Sequence, residues 1–259
     1  NAHLQVPHEM MAVMSAKNPL TKSENGHYDF EMEIPIPTYL IALAAGDLAY
    51  MPIDNRSGVY TEPSMLANAA KELSDIPQMM KAAEALGGPY KWGKYDVLIA
   101  PPSFPIGGME NPRLTFATPT IIAGDKSLVS LIAHEMAHSW SGNLVTNANW
   151  NDLWLNEGFT TYFERRIMEK ITDKSYTDML WELGYQDMQS DLDNLGMNHP
   201  DTRLKVDLKG REPGDAFSNI PYEKGAVFLR MLEENVGRMK FDSFTNQYFT
   251  ANAFVPMTT

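Results

Sequence analysis

The pentad His134-Glu135-Met136-Ala137-His138 restricts how this chain can fold more than any other stretch of it. Leu128, Leu131, Ile132 and Met136 recur around it at helical spacing, so the segment reads as a helix, on which residues four apart share a face. Two imidazoles on one face can close on a single cation at about 2.0–2.1 Å, and Glu135, one step round, can reach a water there without ligating the metal. The plainer alternative is two partly buried histidines on an amphipathic helix. A further candidate ligand follows eighteen intervening residues after His138, where Asn156-Glu157 opens a second helical stretch beside Trp150, Leu153, Trp154 and Leu155. An antiparallel helix pair would present Glu157 to the same cation. His134, His138 and Glu157 are then the donor set of a zinc ion whose fourth position stays open for water. The alternative for Glu157 is a carboxylate favoured by the helix dipole. Glu164, seven residues on and on the same face, reads either as support for a ligand histidine or as a solvated charge.

The rest of the chain supplies the setting. Tyr28, Phe30, Met32 and Ile34 alternate with polar residues, a half-buried strand ending at Pro35. Residues 40–43 continue the sheet signal, and the turn material Gly46-Asp47, Pro52 and Asp54-Asn55 suggests a boundary near residue 50. Helix-prone pieces at 64–73 and 78–86 are separated by Pro77 and stopped by Gly87-Gly88-Pro89. A buried strand is expected at 95–100, a Pro/Gly-rich loop at 101–112 and a short β-prone piece at 114–117. Asp125 is a plausible N-cap for a helix from Lys126. Helices are predicted at about 126–141, 152–170, 176–195, 221–236 and 240–250.

Composition narrows the chemistry. With no cysteine among 259 residues there is no disulfide framework and no thiolate, so a metal must be held by histidine and carboxylate. The net charge of −12 argues against nucleic acid and anionic lipid as partners. No stretch is apolar enough to span a bilayer. The first residue is Asn1 and no basic-then-apolar leader follows, so the expectation is a cytoplasmic piece of a longer protein. His3, His8, His27 and His199 lack ligand spacing and read as surface or loop residues. The 17 methionines read as adaptable core packing.

Four blocks in order resemble the signatures of the M1 aminopeptidases, in particular the leukotriene A4 hydrolase and aminopeptidase B branch. They are Gly107-Gly108-Met109-Glu110-Asn111, the His134 pentad, Trp154-Leu155-Asn156-Glu157-Gly158 and Pro221-Tyr222-Glu223-Lys224-Gly225. The resemblance implies an α+β fold: a mainly helical, thermolysin-like zinc-peptidase catalytic domain with a small β-sheet. It places residues 50–259 in that domain, incomplete at its C-terminus, and residues 1–49 in the β-strand tail of an N-terminal domain. It also implies that Glu110 holds the free α-ammonium of a peptide while Gly107, Gly108 and Met109 lie along it, and that Tyr222 hydrogen-bonds the oxyanion. Glu135 becomes the general base. The substrates would be peptides with a free N-terminus. Where the leukotriene branch carries an epoxide-opening Asp, an ungapped count finds Gly214, with Asp215 out of register and Phe217 in place of a tyrosine, so peptide hydrolysis without epoxide hydrolysis is expected. Two competing readings stand beside this: a zinc endopeptidase, which would have no use for Glu110, and a catalytically silent binding module. Oligomeric state and preferred N-terminal residue are beyond the sequence.

Overall fold

The computed structural model describes all 259 residues apart from the side chains of Asp215 and Ala216, so the question of Asp215 lies outside the described residues. The chain forms two compact units, residues 1–80 with 90–136 and residues 81–89 with 137–259.

The first unit is built on strands. Two antiparallel pairs, β1 (Ala2–Gln5) with β3 (His27–Phe30) and β2 (Met11–Met14) with β4 (Leu43–Gly46), bury Met11, Val13, Tyr28 and Phe30 in one core with Tyr60, Leu98 and Leu114. The alternation in β3 is as expected, but the strand ends at Phe30, because the Glu31 carbonyl turns to the Lys17 N–H instead. A five-stranded sheet follows, in the order β5 (Ala49–Pro52), β6 (Ser57–Thr61), β7 (Tyr95–Ile99), β9 (Leu114–Ala117) and β8 (Gly108–Met109). Its central pairings, β6 with β7 and β7 with β9, are parallel, whereas both outer ones are antiparallel. Every residue of β6 and β7 is buried, as suits strands covered on both faces.

Between β6 and β7 run α1 (Leu66–Glu72) and α2 (Ile76–Gly87). Pro77 lies in the first turn of α2, where its missing N–H would have had no helical partner. The helix expected from Lys126 begins later, as α3 (Ser130–Ala137). Asp125 accepts the Ser127 N–H at 2.9 Å and closes a turn rather than capping a helix. The buried carboxylate of Glu72 takes the N–H groups of Gly124 (3.1 Å) and Lys126 (2.8 Å), and Lys126 is drawn to φ +62°, which no helix tolerates.

The second unit is helical: α4 (Leu153–Ile171), α5 (Lys174–Leu195), α6 (Gly225–Val236) and α7 (Arg238–Ala251). Phe159, Tyr162 and Phe163 of α4 pack edge-on or stacked against Phe241, Tyr248 and Phe249 of α7, an aromatic core. Ahead of α6, residues Ile220–Lys224 form a single π-helical turn. α4 and α6 touch backbone to backbone. A Cβ added at Gly225 would sit 2.7 Å from the Gly158 Cα, and one at Gly158 would sit 2.9 Å from the Gly225 Cα. No helix among the described residues is long and apolar enough to cross a membrane.

Candidate active site

α3 carries His134 and Glu135, with His138 one turn after His134, just past the end of the helix. His138 is buried at 3% exposure, and its Nδ1 faces the Ser141 carbonyl at 3.0 Å, the Asn156 Oδ1 at 2.9 Å and the Thr160 hydroxyl at 3.0 Å. A backbone carbonyl cannot donate, so the ring proton sits on Nδ1, whichever way the Asn156 amide is turned. The ring's lone pair then lies on Nε2, 3.4 Å from the Glu157 Oε2. Glu157 reaches that point because it lies in the first turns of α4, buried beside Asn156. Gly142, at φ +101°, turns the chain just after Ser141. A Cβ there would come within 2.3 Å of the Asn156 Oδ1, so the turn is fitted to the amide.

Ligand atoms of His134, His138 and Glu157 lie within 4.8 Å of one another, a group able to hold a metal ion. Two imidazoles and a carboxylate, one imidazole held in the tautomer that puts its lone pair on Nε2, are the donor chemistry of a zinc site. The expected trio is therefore assembled. The support for a ligand histidine comes at His138 from Asn156, Thr160 and Ser141, none of which sequence reasoning had assigned to it. Asn156 was visible beside Glu157 but carried no spacing signal of its own. Glu164 is not a solvated charge: it is 8% exposed and accepts an ion-paired hydrogen bond from Arg165 at 2.9 Å.

Glu135 is buried on the same helix, and its carboxylate lies against β8. A Cβ at Gly108 would meet the Glu135 Oε1 at 2.2 Å. The Pro/Gly-rich loop therefore contains an edge strand, paired Gly108↔Ala117 and Met109↔Phe116 and extended by the Thr118 N–H donating to the Gly107 carbonyl at 2.8 Å. Two residues are too few to show a period, which hid β8 from pattern reading. Glu110 follows at once, 9% exposed, a carboxylate oxygen within 4.8 Å of one on Glu135. Tyr222 lies on the π-helical turn, half-buried, its ring edge-on to Phe217 at 5.9 Å. His3, His8, His27 and His199 are all exposed.

The family model for the peptidase family M1 domain matches residues 30–259. The chain belongs to peptidase family M1. Among M1 relatives it is 50% identical to leucine aminopeptidase 2 of Ajellomyces capsulatus (strain NAm1 / WU24) over 231 residues, 89% of this chain and 37% of that protein. Yeast leukotriene A4 hydrolase in complex with bestatin superposes with a TM-score of 0.93 at 42% identity, over 99% of this chain and 41% of that one. An M1 zinc metallopeptidase from Deinococcus radiodurans, 24% identical, shares the fold at a TM-score of 0.77 over 99% of this chain and 57% of that one. The chain thus spans about two fifths of the first two relatives. The mixed, mainly helical architecture is that of the M1 peptidases.

Proposed function

We propose that this M1 chain is the catalytic core of a zinc aminopeptidase that removes single residues from the N-termini of peptides. The observation that carries the reading is the His134, His138 and Glu157 group with Glu135 one residue from a ligand and Glu110 beside Glu135. His134, His138 and Glu157 would hold the zinc. Once bound, zinc supplies Lewis acidity, which polarises the scissile carbonyl and makes a water a competent nucleophile near neutral pH. Glu135 takes the proton of the attacking water and hands it to the leaving amine. Tyr222 donates a hydrogen bond to the oxyanion of the tetrahedral intermediate.

Glu110 pairs with the α-ammonium of the substrate, and this makes the enzyme an aminopeptidase rather than an endopeptidase. Gly107, Gly108 and Met109 offer the outer edge of β8 to the peptide backbone as a further strand would be offered it. The name of its leucine aminopeptidase relative supports this reading. Gly214 stands where the epoxide-opening Asp would be and Phe217 where the branch has a nearby tyrosine, so the reading excludes leukotriene A4 as an efficient substrate. Hydrolysis of aminoacyl-coumarin amides with free and acetylated N-termini tests it, together with the Glu135→Gln variant. Cleavage that needs the free amine and vanishes with Glu135→Gln is the expected result. Cleavage of acetylated peptides would replace it with the endopeptidase, and zinc without turnover would replace it with the silent module.

A further inference from the structure

Arg165 is an unusual residue to find in the middle of α4. It is 5% exposed, and its guanidinium lies between the buried carboxylate of Glu164 and the half-buried one of Glu223: Nη1 donates to the Glu164 Oε2 at 2.9 Å and Nη2 to the Glu223 Oε1 at 2.9 Å. Nη2 also donates to the Leu180 carbonyl at 3.2 Å, and the ring of Trp181 on α5 covers the group at 5.6 Å. Burial pulls the Arg165 pKa down, but the carboxylates of Glu164 and Glu223 outweigh it and leave the group raised above its usual value. An ion triad around a buried guanidinium is a poor device for stability alone, because apolar side chains of similar volume do as well or better. The Arg165 Nε makes no hydrogen bond, a further cost. The arrangement is better suited to fixing a direction.

What it fixes is the π-helical turn. Glu223 is the neighbour of Tyr222, and its carboxylate fills the space over Gly184, where a Cβ would approach the Glu223 Oε2 to 2.1 Å. Lys224 donates its Nζ to the Thr202 carbonyl at 2.6 Å, and Gly225 rests on the Gly158 backbone. The turn is thus held through each of the three residues that follow Tyr222. π-helical turns are rare and cluster at functional positions, since the extra residue per turn turns a side chain away from its helical direction. We propose that Arg165 is the positioning residue for Tyr222: by bridging Glu164 on α4 to Glu223, it fixes the turn from which the Tyr222 hydroxyl reaches the oxyanion.

The inference rests on the role given to Tyr222 above, and a double-mutant cycle separates the two. In the protein in which this chain naturally occurs, Tyr222→Phe is expected to lower kcat by about 10²-fold or more. Arg165→Met is expected to lower kcat by about 10–100-fold, with KM and zinc stoichiometry unchanged. The double variant Arg165→Met/Tyr222→Phe should be no slower than Tyr222→Phe alone. Arg165→Lys, a charge without the planar fork, should recover only part of the loss. If Arg165→Met does not fold, the near-isosteric Glu223→Gln takes its place in the cycle. Losses that multiply in the double variant, or loss of zinc in the single one, would overturn the positioning role while Tyr222 kept its own. A fully active Tyr222→Phe would sink both.

Discussion

The candidate site has two kinds of construction. On one side, His138 and Glu157 sit in a cage of side chains, where Asn156, Thr160 and the Ser141 carbonyl converge on one ring nitrogen. On the other, Gly107, Gly108 and Met109 form a ledge of bare backbone on a two-residue edge strand, with Glu135 resting on Gly108. A metal needs donors fixed in direction, and packed side chains with a second layer of hydrogen bonds supply that. A peptide of varied sequence needs contacts that ignore its side chains, and a strand edge supplies those. The comparison predicts that damage to the ledge costs rate while zinc stays, and that damage to the cage costs zinc.

Glu135→Gln should give the largest effect, a fall in kcat of about 10²–10⁴-fold with zinc content unchanged by metal analysis. Parallel loss of zinc would erase the distinction between cage and ledge. Next comes the sheet beneath the ledge. Asp96 on β7 is 3% exposed, and burial lifts its carboxyl from 3.8 to about 6, against the pull of Lys94 and the Tyr50 hydroxyl. A carboxyl with its folded pKa raised contributes fully below the unfolded value and loses that contribution as pH rises through the folded one. Relative to Asp96→Asn, the native chain should therefore lose on the order of 3 kcal/mol of stability between pH 4 and 7, read by urea unfolding at each pH. Parallel pH profiles for the two proteins would contradict this.

A packing test follows. Gly225→Ala forces a methyl into the Gly158 backbone and should cost about 1–3 kcal/mol of stability, read as a lower denaturation midpoint, with slower turnover as the Tyr222 turn shifts. An unchanged midpoint would mean that α4 and α6 separate freely. The smallest effect sharpens the cage: Asn156→Ala should weaken zinc about 10–100-fold in chelator competition, leaving kcat of the zinc-loaded enzyme nearly intact. Unaltered zinc affinity would leave the Ser141 carbonyl and Thr160 as sufficient support.

What the sequence revealed follows from how far each signal reaches. The long helices and β9 were legible because their patterns are local and several residues long. The His134, His138 and Glu157 group was legible because two of its members lie four apart in one predicted helix and the third opens the next predicted one. β8 was not, because two residues cannot display an alternation. The late start of α3 was not, because it is set by Glu72, more than fifty residues away, taking the N–H groups a helix would have used. The hydrogen bonds of Asn156 and the Arg165 bridge are likewise facts of three dimensions, between residues whose types alone say only that they are polar.

The touch between Gly158 and Gly225 has one more consequence. Each position already holds the smallest residue there is, so neither can shrink to make room for a change in the other. A clash introduced at one cannot be repaired at its partner, as a swollen core side chain can be matched by a trimmed neighbour. The two sequence blocks that meet there, one holding Glu157 and the other Tyr222, behave toward mutation as a single locus, although 66 residues lie between the two glycines.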